Sequence, residues 1–137
     1  MARSHPTPTH SDGRKLLTAR LPREVDAANE ARVRLDLLAM IDAYAPEVSG
    51  LIIDMANTRF IDSAGLRALL VVRARAVELE AALWIAAPNE DVRRFLSLVD
   101  IAGTIPVFDS VDTALVAWSA RPDAATTVQR SLALLSA

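Results

Sequence analysis

The chain has 137 residues, 52% of them apolar, no cysteine and a formal net charge of −2. This is enough to bury one core, with nothing to suggest a second. It excludes disulfides and thiolate chemistry and leaves no electrostatic footprint for nucleic acid. The longest apolar runs fall far short of the roughly 20 residues that span a bilayer, and the N-terminus lacks the apolar centre of a secretory signal. The expectation is a single cytoplasmic domain without membrane insertion.

Residues 1–14, rich in Pro, Ser, Thr and His, bury too little apolar surface to order themselves and are expected to form a flexible tail. The domain is expected over residues 15–118. Leu16, Leu17, Ala19 and Leu21 predict a strand, ended at Pro22, which has no N–H to offer a continuing ladder. Over 28–44, Val33, Leu37, Ile41 and Tyr44 recur at helical spacing, and Pro46 closes the segment. The unbroken apolar run Leu51-Ile52-Ile53 predicts a strand covered on both faces.

A helix over 63–80 follows, with Leu66, Leu69, Leu70, Arg73 and Val77 near one another. Residues 82–86 predict a strand containing Trp84. Pro88-Asn89-Glu90-Asp91 starts a further helix with Asn89 as cap; Val92, Phe95, Leu96 and Val99 line it, and Gly103 is placed to end it. Residues 104–108 predict a strand at a sheet edge because of Pro106. Asp109 or Ser110 is expected to cap a helix running to Trp118. Residues 119–137 are expected to be an extension with a short apolar helix. The alternation of strands and helices predicts an α/β layer domain.

The most informative stretch is Leu51 to Leu66, where an apolar strand and a short polar connection lead to Asp62-Ser63-Ala64-Gly65 and into a helix. A hydroxyl at a helix start has free backbone N–H groups and the positive end of the helix dipole beside it, a setting that can hold an added phosphate. From local sequence alone, Ser63 reads first as an N-cap or first-turn residue that satisfies backbone donors, the usual job of such a serine, with Asp62 a competing N-cap. Asp26 reads as a turn or cap residue, and Asp54 as a tie for the connection after its strand. Gly65 is unusual in a first turn, where it costs about 1 kcal/mol relative to alanine, and its missing side chain would let a partner come close to the backbone. Arg67, Arg73 and Arg75 read as solvated helix charges, with partner contact the less common role.

Catalysis lacks its parts. A Ser-His-Asp hydrolase needs a histidine beside the serine, and only His5 and His10 exist, both in the expected tail. Ser63 does not lie in the Gly-x-Ser-x-Gly of a nucleophile elbow. No glycine leads into the Gly-Lys-Ser/Thr of a P-loop, and clustered metal ligands are missing. A phospho-acceptor receiver domain built on Asp54 would need a lysine near residues 104–108, where none stands.

Taken in order, Arg23-Glu24-Val25-Asp26, Leu51 to Asp54, Phe60-Ile61-Asp62-Ser63-Ala64-Gly65-Leu66, Phe95 to Gly103 and Asp109 to Leu115 resemble the STAS domain family, shared by bacterial anti-sigma factor antagonists and the cytoplasmic ends of sulfate transporters. Arg23 stands where the family has glycine. The resemblance implies a small mixed β-sheet with helices mainly on one face, and a first strand for which Pro6 and Pro8 make a poor sequence. That strand is expected to be absent, shortened or supplied by another chain.

For function, the resemblance implies an anti-sigma factor antagonist, a binding protein without catalysis or cofactor. It would bind an anti-sigma factor that is often itself a serine kinase, and be switched off by phosphorylation of Ser63. A phosphatase would reset it. The expected partner-binding residues are Asp26, Asp62, Ser63, Ala64, Gly65 and Arg67. The alternatives are a structural STAS subunit of a larger assembly, such as a stress-sensing or lipid-transport complex, and a degenerate paralogue that competes for the partner unphosphorylated. The sequence names no sigma factor and no oligomeric state.

Overall fold

A computed structural model describes residues 9–11, 14–86 and 88–121. The strands are β1 (Thr9–Ser11), β2 (Arg14–Arg20), β3 (Glu24–Val25), β4 (Val48–Asp54), β5 (Phe60–Ile61), β6 (Ala82–Ala86) and β7 (Val107–Phe108). The helices are α1 (Glu30–Tyr44), α2 (Ser63–Glu78), α3 (Glu90–Leu98) and α4 (Val111–Ser119). Five strands form one sheet in the order β1-β2-β4-β6-β7, with β1 antiparallel to β2 and every other pair parallel; β3 and β5 form a separate parallel pair. This is the expected mixed sheet.

Strand β4 sits at the centre, and all its residues are buried. Because side chains alternate between the faces of a strand, the unbroken apolar run serves two cores. On one face, Leu17 and Ala19 of β2, Leu51 and Ile53 of β4, and Leu83 and Ile85 of β6 meet Val33, Leu37 and Ile41 of α1, Leu69 and Val72 of α2, and Val92 and Leu96 of α3. On the other face, Leu16, Ile52 and Ala86 meet Ala114 and Trp118 of α4, with Trp84 and Phe108 alongside. Three helices therefore cover one face and one covers the other. Each fully buried Leu or Ile stabilises this arrangement by about 1.5–3 kcal/mol.

Three expectations need correction. Thr9–Ser11, placed by sequence in the flexible tail, forms the edge strand β1, with Thr9 opposite Leu16 and Ser11 opposite Arg14. A strand ahead of β2 is thus present among the described residues. Pairing of this kind needs only main-chain groups, so an apolar pattern is no precondition for it. Residues 1–8, 12 and 13 of the expected tail, and 122–137 of the expected C-terminal extension, lie outside the described residues.

The strand expected over 104–108 shrinks to Val107–Phe108. A 3₁₀ turn at Ile101–Gly103 precedes it, and the N–H groups of Thr104 and Ile105 both bond to the Ile101 carbonyl, at 2.8 and 2.7 Å, which removes them from any ladder. Pro106, which has no N–H, still serves the edge, its carbonyl accepting from Ile85 N–H at 2.9 Å. Nor does Gly103 end α3. The chain turns earlier, at Asp100, which takes a left-handed conformation with φ 53°, as aspartate does more readily than most residues. The expected caps form: Asn89 Oδ1 accepts from Val92 N–H at 2.8 Å, and Ser110 Oγ accepts from Thr113 N–H at 2.9 Å.

Candidate functional site at the start of helix α2

The site is built by the small β3–β5 pair. Glu24 lies opposite Phe60 and Val25 opposite Ile61, and Asp62 N–H reaches the Val25 carbonyl at 3.3 Å. Asp26 and Asp62 therefore stand one step beyond the last paired residues of the two strands, at the threshold of α2. Asn29 secures β3 from the side of α1: its Nδ2 donates to the Glu24 carbonyl at 2.7 Å, and its Oδ1 accepts from Asp26 N–H at 3.0 Å. Asn29 sits at the N-cap position of α1 without capping it by its side chain.

Thr58 secures the pair from below. It is fully buried, its hydroxyl donates to the Pro22 carbonyl at 2.9 Å, and its own carbonyl accepts from Asn89 Nδ2 at 3.1 Å. One residue thus joins the approach to β3, the approach to β5 and the start of α3. Sequence reasoning missed both Thr58 and Asn29. Asn29 resembles an ordinary cap, and a threonine in a polar connection gives no sign of burial.

The division of labour between Asp62 and Ser63 is explicit. Asp62 is the N-cap, its Oδ1 accepting from Gly65 N–H at 3.0 Å. Ser63 is the first helical residue; it is exposed, and its hydroxyl has no hydrogen-bond partner among the described residues. The N–H groups of Ser63 and Ala64 likewise have no protein acceptor among the described residues. These are the donors that every helix N-terminus leaves over.

Gly65 differs from expectation in its reason. A Cβ there would lie 2.5 Å from the Val25 carbonyl oxygen and 2.8 Å from Ile61 Cγ1. Its missing side chain lets α2 close onto the β3–β5 pair, and Ala64 and Gly65 are both buried. Of the six expected partner-binding residues, Ser63 and Arg67 are exposed and Asp26 and Asp62 half-buried. Ala64 and Gly65 shape the site from within. Phe60, absent from the expected set, is 49% exposed three residues before Ser63.

Asp54 is fully engaged. Only 4% exposed, it accepts from Ala56 N–H through Oδ1 at 2.9 Å and from Arg20 Nε through Oδ2 at 3.1 Å. It ties down the connection after β4, as its position in the sequence suggests. Of the other arginines singled out, Arg73 donates to the Thr104 carbonyl at 3.1 Å. Arg75 bridges Asp42 of α1 and Glu78 at 2.9 and 3.0 Å. Its guanidinium pKa is raised, first by the Glu78 hydrogen bond and then by Asp42. Neither is the simply solvated charge that the sequence suggests. No group of three or more His, Cys, Asp or Glu side chains suited to a metal occurs among the described residues. No described helix is long and apolar enough to cross a membrane.

The mixed sheet, the β3–β5 pair and the capped start of α2 define a small α/β module with a serine presented at one helix end. The sequence model of the STAS domain matches residues 7–114, and the chain belongs to the STAS domain family. Solved structures agree in fold. An anti-sigma factor antagonist from Mycobacterium paratuberculosis is 21% identical, with 83% of this chain and 92% of that one covered and a TM-score of 0.64. An anti-sigma-factor antagonist (STAS) domain protein from Planctomyces limnophilus is 16% identical, covering 82% and 96%, with a TM-score of 0.65. The murine Solute Carrier 26 family member A9 anion transporter is 21% identical with a TM-score of 0.66; there, 80% of this chain matches only 18% of the transporter. No curated protein matches the chain in a comparison by sequence.

Proposed function

We propose that the protein is a cytoplasmic anti-sigma factor antagonist, a binding protein rather than a catalyst, whose surface around Ser63 engages an anti-sigma factor and is switched off when Ser63 is phosphorylated. The observation that supports this most is that Asp62 does the capping while Ser63 is exposed and its hydroxyl has no partner among the described residues. A serine needed for the helix would be engaged; this one is available to a kinase.

The partner is an anti-sigma factor that also carries serine kinase activity. It transfers the terminal phosphoryl group of a nucleoside triphosphate to Ser63 Oγ, with loss of the hydroxyl proton, and a phosphatase reverses the change. The phosphate brings about −1.5 to −2 charges to a surface that also holds Asp62 and Asp26. The cost falls on a close-packed complex, where the charge would be desolvated next to like charges. In the free domain, water and the first-turn N–H groups accommodate it.

Matched capture from the native host's lysate tests the reading, with wild-type, Ser63→Ala and Ser63→Glu domains as baits and mass spectrometry of the retained proteins. A kinase-like anti-sigma factor is expected on the wild-type and alanine baits and at least tenfold depleted on glutamate. Equal retention on all three would leave Ser63 a structural residue and favour a permanent subunit of a larger assembly.

A further inference from the structure

Resting on the reading of Ser63 as the phosphorylated residue, we propose that Arg67 is the internal counter-ion of the phosphate on Ser63. It pairs with phosphorylated Ser63 along α2 in the free domain and is thereby withdrawn from the surface that meets the partner. Ser63 and Arg67 are four positions apart in α2 and both are exposed, so they are neighbours on one crest of the helix. The polarity is the favourable one, with the anion N-terminal to the cation.

The other two arginines of α2 are already committed, Arg73 to the Thr104 carbonyl and Arg75 to Asp42 and Glu78. The Arg67 side chain has no ion pair or hydrogen bond among the described residues. The nearby carboxylates do not claim it either: Asp62 Oδ1 is turned to Gly65 N–H and Asp26 Oδ1 to Ala28 N–H. A guanidinium can offer two parallel N–H groups to two phosphate oxygens, which an ammonium cannot. Phosphorylation then acts twice on the partner surface, adding an anion and occupying the uncommitted cation one turn along α2.

The test uses the described domain within the full chain, with phosphoserine incorporated at position 63 during translation so that no kinase is needed. Three versions are compared: Arg67 intact, Arg67→Lys and Arg67→Gln. Followed by ³¹P NMR across pH, the second phosphate ionisation is expected to be roughly two- to fivefold more favourable with Arg67 than with Gln, and intermediate with Lys. In the unmodified domain, Arg67→Gln is expected to weaken capture of the partner severalfold while leaving urea unfolding unchanged.

Identical ionisation in all three versions would overturn the pairing, and unchanged capture by unmodified Arg67→Gln would overturn the withdrawal. The switch itself is read separately, by whether phosphorylated and unmodified domains differ in partner capture. Loss of capture with identical ionisation sinks the Arg67 proposal alone, whereas no loss of capture sinks the phosphorylation reading with it.

Discussion

Asp54 closes β4 and Asp62 directly follows β5, and these two aspartates are put to opposite uses. At the end of β4, Asp54 is 4% exposed, and both of its oxygens are engaged, by Ala56 N–H and by Arg20. Just after β5, Asp62 spends one oxygen on Gly65 N–H and hands on to an exposed serine whose hydroxyl has no partner among the described residues. A receiver domain would need the first corner open and reactive. Here that corner is sealed, and the second one presents an exposed serine. What separates them is burial and hydrogen bonding, since both positions look alike as an acid following an apolar strand.

The largest effect expected from this contrast is at the sealed corner. Asp54→Ala removes the acceptor of the Ala56 N–H and the buried half of the Arg20–Asp54 ion pair, and should cost about 1.5–3 kcal/mol in urea unfolding. A loss below about 1 kcal/mol would show that the corner is not held as described. Gly65→Ala comes next. The added methyl meets the Val25 carbonyl and Ile61, so overpacking of about 1–3 kcal/mol should outweigh the better helix propensity of alanine. If that variant were more stable than wild type, the close packing of α2 on the β3–β5 pair would be wrong.

Asp62→Ala removes the cap of α2 and should cost about 1 kcal/mol, readable as a shift of the urea midpoint at constant slope. Ser63→Ala, by contrast, should stay within about 0.5 kcal/mol of wild type, as an exposed side chain without partners does. A Ser63→Ala cost equal to that of Asp62→Ala would return the serine to a structural role and erase the contrast.

Much of this corner is legible in the sequence. The apolar run before Asp54 specifies a doubly covered strand, and the Asp-Ser-small-Gly step marks the start of α2. Asn89 and Ser110 cap where their positions suggest, because capping depends on residues only three apart. Long-range matters are not legible. Thr58 joins Pro22 to Asn89 across the fold, and nothing near it in the chain announces that. Gly65 looks like an opening for a partner until Val25, forty residues earlier, is seen to occupy the space. β1 escapes a pattern-based reading because its pairing rests on main-chain groups. The short β7 escapes it because the Ile101 carbonyl takes the N–H groups that a longer strand would need.

The most direct measurement is to incubate the purified domain with native host lysate and ATP and to map phosphate by mass spectrometry. Cleavage after Arg59 and Arg67 releases the peptide Phe60 to Arg67, in which Ser63 is the sole hydroxyl residue. One phosphate on that peptide, absent from Ser63→Ala, is the expected result. Phosphate elsewhere in the domain, or an unmodified Phe60 to Arg67 peptide under conditions where the partner is captured, would contradict the assignment of Ser63 as the switch.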